Sequence, residues 1–230
     1  MHIHGLQKLS MVDYPGKIAA TVFTGGCNLR CPFCHNALLV TELSQSPRIA
    51  TEEVLAFLRS RRNLLDAVVL SGGEPLLQPP AADFLAQVKA MGFLVKLDTN
   101  GCYPTALREI LDRELVDYVA MDIKNTPEKY PMTVGLPEFD MNPIHESIQL
   151  LKTSGVDYEF RTTVVRQFHT PEDIRAIGAW ISGAKRYFLQ NFEDSGNLIG
   201  SGMSGFTEAE IHVLAAEAAP YIPYVGVRGY

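Results

Sequence analysis

Ala67-Val68-Val69-Leu70-Ser71-Gly72-Gly73-Glu74-Pro75 is the stretch on which the fold turns. Its first half is an unbroken apolar run, the pattern of a parallel strand covered on both faces. Its second half, two glycines, an acid and a proline, ends that strand in a tight turn. Working outward, short runs of the same kind recur at Ala19–Thr24, Leu94–Thr99, Tyr118–Asp122, 158–165, 186–190 and 224–227. Amphipathic stretches separate them. Thr51 is placed to cap a helix with Glu52 and Glu53 in its first turn and Val54, Leu55 and Leu58 on one face. Residues 81–91 carry Phe84, Leu85 and Val88 at helical spacing. Thr170-Pro171-Glu172-Asp173 and Thr207-Glu208-Ala209-Glu210 are helix-start signatures. Strands alternating with helices predict an α/β fold with a parallel sheet, either a partial barrel or an open doubly wound sheet. No linker divides the chain, so residues 1–230 are expected to form one domain.

In both architectures functional groups gather beyond the C-terminal ends of the strands. The unusual residues of this chain fall there: Gly25-Gly26-Cys27, Gly72-Gly73-Glu74, Asp98-Thr99-Asn100-Gly101, Asp122-Ile123-Lys124 and Gln190-Asn191, with Arg161 inside the run at 158–165.

Of four cysteines, Cys27, Cys31 and Cys34 lie in one short segment at C-x3-C-x2-C spacing. Three thiolates from one loop can hold three corners of an iron–sulfur cluster, or a zinc ion, and leave a coordination position open for chemistry. A Cys3His zinc site would need His35, which adjoins Cys34 too closely to share its ion comfortably. The chain has a net charge of −6 and no basic footprint, which argues against a nucleic-acid binder. No apolar run approaches the ~20 residues of a membrane span, and Met1 to Gly5 lacks secretory features. The expectation is a cytoplasmic protein without disulfides.

With these residues in view, the chain resembles radical S-adenosylmethionine (SAM) enzymes. The cysteine triplet, with Phe33 before its last member, and Gly72-Gly73-Glu74-Pro75 carry the resemblance. Residues 13–36, with Asp98-Thr99-Asn100-Gly101 and Asp122-Ile123-Lys124, are similar to the activating enzymes of glycyl-radical proteins, most of all those of anaerobic ribonucleoside-triphosphate reductase. The resemblance implies a partial (β/α)6 TIM-like barrel. It implies a [4Fe-4S] cluster on Cys27, Cys31 and Cys34, with SAM on the fourth iron. Reductive cleavage of SAM would give a 5′-deoxyadenosyl radical that takes Hα from a partner's glycine. Gly72, Gly73 and Glu74 would meet the methionyl ammonium. Phe33, Asn100, Lys124, Arg161 and Asn191 would also touch the cofactor. Asp98 and Asp122 would hold a monovalent cation beside its carboxylate. The partners implied are a glycyl-radical enzyme and a flavodoxin or ferredoxin as electron donor.

The sequence departs from the pyruvate formate-lyase type after the run at 186–190. Glu193 stands where that type has a cofactor-contacting histidine. Rival expectations are an activase of that other type, a small-molecule enzyme such as a 7-carboxy-7-deazaguanine synthase, and a zinc-binding adaptor. Cys102 is expected as a buried bystander, His2 and His4 on a mobile end, Trp180 in a packed helix, and 125–143 as a lid or docking loop. The C-terminal Arg228-Gly229-Tyr230 echoes a glycyl-radical loop, though a last strand and tail is the simpler expectation.

Overall fold

The computed structural model describes residues 1–229, the Gln45 side chain excepted. Its eight strands are β1 (Ile3–Ser10), β2 (Ala19–Thr24), β3 (Ala67–Gly72), β4 (Leu94–Thr99), β5 (Tyr118–Asp122), β6 (Asp157–Val164), β7 (Tyr187–Asn191) and β8 (Val225–Arg228). They form one sheet in sequential order. β1 runs antiparallel to β2, and every later neighbour pair is parallel. Helices fill the crossovers: α1 (Ala37–Thr41) and α2 (Thr51–Ser60), α3 (Ala81–Ala90), α4 (Pro104–Asp112), α5 (Tyr130–Thr133) and α6 (Asn142–Thr153), α7 (Pro171–Trp180), and α8 (Glu208–Ala218). Six βα crossovers joining seven parallel strands make the partial TIM-like barrel.

The apolar runs become strands because both faces are covered. Val68, Leu70, Val95, Leu97, Val119 and Phe160 are fully buried, and Leu85, Val88, Ile110, Ile148 and Ile177 meet them from the helices, while Val69 packs on the other face with Tyr14, Ala19, Ala67 and Tyr118. Each such side chain contributes roughly 1.5–3 kcal/mol of burial. Thr170 and Thr207 close the expected capping boxes on α7 and α8. Thr51 does not cap α2; it is the first helical residue, and Ala50 stands at the cap without a side-chain bond.

Two expectations are corrected. His2 and His4 are not on a mobile end: His4 lies in β1, His2 N donates to Gln78 Oε1 at 2.6 Å, and Gly25 N donates to the His2 carbonyl at 2.9 Å. The segment 125–143 is no lid. Tyr130 and Val134 are fully buried, and Arg30 N donates to the Val134 carbonyl at 2.9 Å, so the segment is packed onto the cysteine loop. Trp180 is packed as expected, its Nε1 donating to His145 Nδ1 at 3.1 Å. Residues 225–228 form a last strand; Tyr230, which completes the C-terminal Arg-Gly-Tyr, lies outside the described residues. No helix among the described residues is long and apolar enough to cross a membrane.

Candidate cofactor site

The loop after β2 brings Cys27, Cys31 and Cys34 to the C-terminal mouth of the barrel, where they line a cavity of about 290 Å³. Phe33 turns its ring against Phe168, 5.6 Å between centroids. Leu29 N donates to Cys27 Sγ at 3.4 Å, and Asn100 Nδ2 lies 3.7 Å from the same sulfur. Burial pushes the Cys27 thiol up to about 11 and Cys31 up to about 12, and it raises Cys34 as well. Such thiols stay protonated until a metal takes the proton's place. Among the described residues, no three His, Cys, Asp or Glu side chains close to the spacing one metal ion demands. A cluster offers each thiolate its own iron, and three thiol donors from one loop at the mouth of one cavity fit it. His35 instead lies along Phe192, 5.4 Å between centroids.

β3 and the turn after it supply Gly72 and Gly73. Gly72 has φ +125°, and a Cβ there would stand 2.3 Å from the Thr24 backbone. A Cβ on Gly73 would stand 2.0 Å from the Gly26 carbonyl oxygen. The two glycines let the turn seat against the cysteine loop, where Glu74 N donates to the Gly26 carbonyl at 2.8 Å. Both line the cavity.

Glu74 does not. It is fully buried behind the rim and accepts from Leu76 N at 3.0 Å, Thr99 Oγ1 at 2.8 Å and Asn100 N at 2.7 Å. Burial pushes its carboxyl up to about 7 against the pull of those three donors. In this structure the carboxylate is set back from the cavity lining and ties the end of β3 to the end of β4. Asn191 is set back likewise. Its amide donates to the Phe206 carbonyl and accepts from Phe206 N, both at 2.8 Å, and it is not among the cavity-lining residues. Both side chains are engaged by nearby groups, mostly backbone, that sequence spacing does not reveal.

The opposite wall is charged. Arg161, from the middle of β6, donates from Nε to Asp122 Oδ1 at 3.0 Å and has Nη1 3.6 Å from Asp98 Oδ1. Lys124 Nζ donates to Asp122 Oδ2 at 2.8 Å. Burial works against the Asp122 anion, but Lys124 and Arg161 outweigh it and hold the carboxyl down at about 2. Asp98 is held low in the same way by Arg161 and Lys96, against burial. Cys102 is partly buried beside this site, and all four cysteines are free. Among the described residues, the buried Tyr130 hydroxyl has no hydrogen-bond partner.

Sequence reasoning missed Lys96 and Ser71. Lys96 Nζ reaches Asp98 Oδ1, and Ser71 Oγ donates to Asp98 Oδ2 at 3.0 Å. The signal was available for Lys96. Two residues before Asp98 on a strand, it shares that acid's face. Asp13, held by Thr21 Oγ1 at 2.6 Å, also lines the cavity.

This barrel, with three thiols at its mouth and an ion-paired wall facing them, is a radical SAM core, and the Radical SAM superfamily profile matches residues 21–181. The chain belongs to that superfamily. Over 198 residues it is 38% identical to a protein of Methanocaldococcus jannaschii that carries the name glycyl-radical enzyme activating enzyme, covering 83% of this chain and 80% of that one. It is 35% identical over 131 residues to the pyruvate formate-lyase-activating enzyme of Clostridium pasteurianum, covering 55% of this chain and 53% of the relative. Two solved structures share the fold at low identity. SuiB of Streptococcus suis has a TM-score of 0.71 at 13% identity, covering 89% of this chain and 47% of SuiB. A domain of a pyruvate formate-lyase-activating enzyme from Bacteroides vulgatus has a TM-score of 0.58 at 16% identity, covering 71% of this chain and 99% of the domain. The chain thus spans about half the length of SuiB and of the clostridial relative. It is an enzyme of the radical SAM activating class, and the family implies a [4Fe-4S] cluster and SAM as its cofactors.

Proposed function

We propose that this chain installs a glycyl radical in anaerobic ribonucleoside-triphosphate reductase, working in the cytoplasm with electrons from a flavodoxin or ferredoxin. The observation that carries the reading is the facing of three thiols and one ion-paired wall across a single cavity. When bound, the cluster and SAM supply reductive C–S cleavage and a carbon radical that takes a hydrogen atom from glycine. Cys27, Cys31 and Cys34 would hold three irons. Gly72 and Gly73 would let the methionyl end approach backbone, and Arg161 and Lys124 would face its carboxylate. Phe33 and Asn100 would flank the cofactor, and the buried walls would keep water out.

The choice of the reductase rests on the resemblance of residues 13–36. A pyruvate formate-lyase type partner is the second reading, favoured by the clostridial relative. Electron paramagnetic resonance on the anaerobically reconstituted, reduced protein mixed with each candidate partner and SAM decides between them. A glycyl-radical doublet in the reductase is the expected result; a doublet only in the lyase transfers the assignment. Failure of a fully reconstituted sample to cleave SAM to 5′-deoxyadenosine sinks both. Turnover of a small pterin-like molecule instead points to a deazaguanine-type synthase, and stoichiometric zinc without iron to an adaptor. Cys31→Ser should abolish cluster binding, read by iron content and absorbance.

A further inference from the structure

Asp98 and Asp122 leave no carboxylate oxygen without a partner. Asp98 Oδ1 takes Lys96 Nζ at 2.5 Å and faces Arg161 Nη1, while Oδ2 accepts from Ser71 Oγ. Asp122 Oδ1 accepts from Arg161 Nε, and Oδ2 from Lys124 Nζ. Three cations answer two anions. A monovalent cation held by these acids would have to sit among the ammonium and guanidinium groups already bound to them, and it would add a fourth positive charge to the wall. The residues do not fit such an ion, and the expectation of one is corrected.

Lys96 is the unusual member. Its side chain is 3% exposed, inside a strand whose neighbours Val95 and Leu97 are fully buried. A buried lysine is rare unless paired. The other acids lining its part of the barrel interior are Asp13, which accepts from Thr21 Oγ1 at 2.6 Å, and Glu159, already bound by Arg228 at 2.6 Å and 2.8 Å and by Tyr118 Oη at 2.7 Å. Lys96 therefore belongs to Asp98. An ammonium is a compact, strongly hydrated point charge, the nearest a side chain comes to an alkali ion.

We propose that the Lys96 ammonium is a built-in replacement for a bound monovalent cation beside Asp98, so that the site takes the carboxylate of SAM without potassium or sodium. This rests on the reading that the methionyl end of SAM meets this wall. The charge balance supports it. Within the ion-paired set, Lys96, Arg161 and Lys124 against Asp98 and Asp122 leave one positive charge, which one ligand carboxylate cancels, while Asp13 on the same cavity is held by Thr21 outside that set. Without Lys96 the same ligand would leave the wall one negative charge in excess, in a site where charges are poorly screened. Lys96 is a positioning residue: it acts through Asp98.

The test is SAM binding to the cluster-loaded protein, by calorimetry at fixed ionic strength, in potassium, sodium or choline chloride. Wild type should bind with the same Kd in all three within about twofold. Lys96→Met should bind about tenfold or more weakly in choline and recover in potassium or sodium, and Lys96→Arg should keep binding in choline. The wild-type series stands even if a variant fails to fold. Wild-type binding that collapses in choline overturns the inference. So does a Lys96→Met protein that binds like wild type in choline, or a loss that neither ion restores. Absence of binding in every salt by wild type with an intact cluster overturns the cofactor reading first, and this inference with it.

Discussion

Glu74 holds its position through three hydrogen bonds, and its ionisation is the clearest residue-scale handle on stability. Its carboxyl is raised by burial from 4.5 to about 7. The folded state therefore binds a proton more tightly than the unfolded chain does, and stability falls as pH rises through that window. The contribution lost between about pH 4.5 and 7 is about 3 kcal/mol. Urea denaturation of the cluster-free protein at stepped pH should show this decline. Glu74→Gln should be less stable at pH 5, because its amide meets an N–H or O–H donor where an oxygen stood, yet should lack the decline. A wild-type curve flat over this range would refute the assignment. The same residue marks what a sequence discloses at this scale. Cys27, Cys31 and Cys34 were legible because spacing alone defines their shared chemistry. The placement of Glu74 and Asn191 was not, because residue type cannot say whether a polar group is engaged by partners nearby.

At the scale of elements, the turn after β3 and the loop after β2 are fitted backbone to backbone. Gly73→Ala would place a methyl 2.0 Å from the Gly26 carbonyl oxygen, an atom that no rotamer change can move. We expect a loss of about 3 kcal/mol in chemical denaturation, with a weaker SAM affinity in the cluster-loaded variant, because the two rim loops must part. Unchanged values for both would contradict the fit described above. The parallel strands were readable because burial on both faces leaves them unbroken apolar runs, and the caps of α7 and α8 because capping is local chemistry. β1 was not readable. Ile3 and Ser10 are its only buried residues, so an edge strand of this kind has no periodicity to betray it. The segment 125–143 misled for a related reason: prolines and glycines signal a loop, but Tyr130 and Val134 anchor this one against the cysteine loop.

Across the whole molecule, the barrel interior is lined by a ladder of ion pairs from Lys124 at the mouth to Arg228 on the last strand. Arg228 grips the fully buried Glu159 with both terminal nitrogens, its guanidinium 3.6 Å from the Phe188 ring centre. Arg228→Met keeps an apolar stem over that ring and removes the charge. Glu159 is then left with Tyr118 alone, and the expected cost at neutral pH is about 3 kcal/mol. The gap from wild type should shrink in acid, where Glu159 takes up a proton. A gap that is constant from pH 4 to 8 would show that packing, not charge, ties β8 to the barrel. An incomplete barrel also ends in two strands with an outer side unclaimed by the sheet, the usual template for runaway addition of neighbouring chains. Here neither offers a straight track. β1 breaks its register twice, between Ile3 and Gly5 and between Gln7 and Ser10. β8 spans only four residues, one of them Gly226. Neither edge offers a neighbouring chain a long, regular ladder to extend.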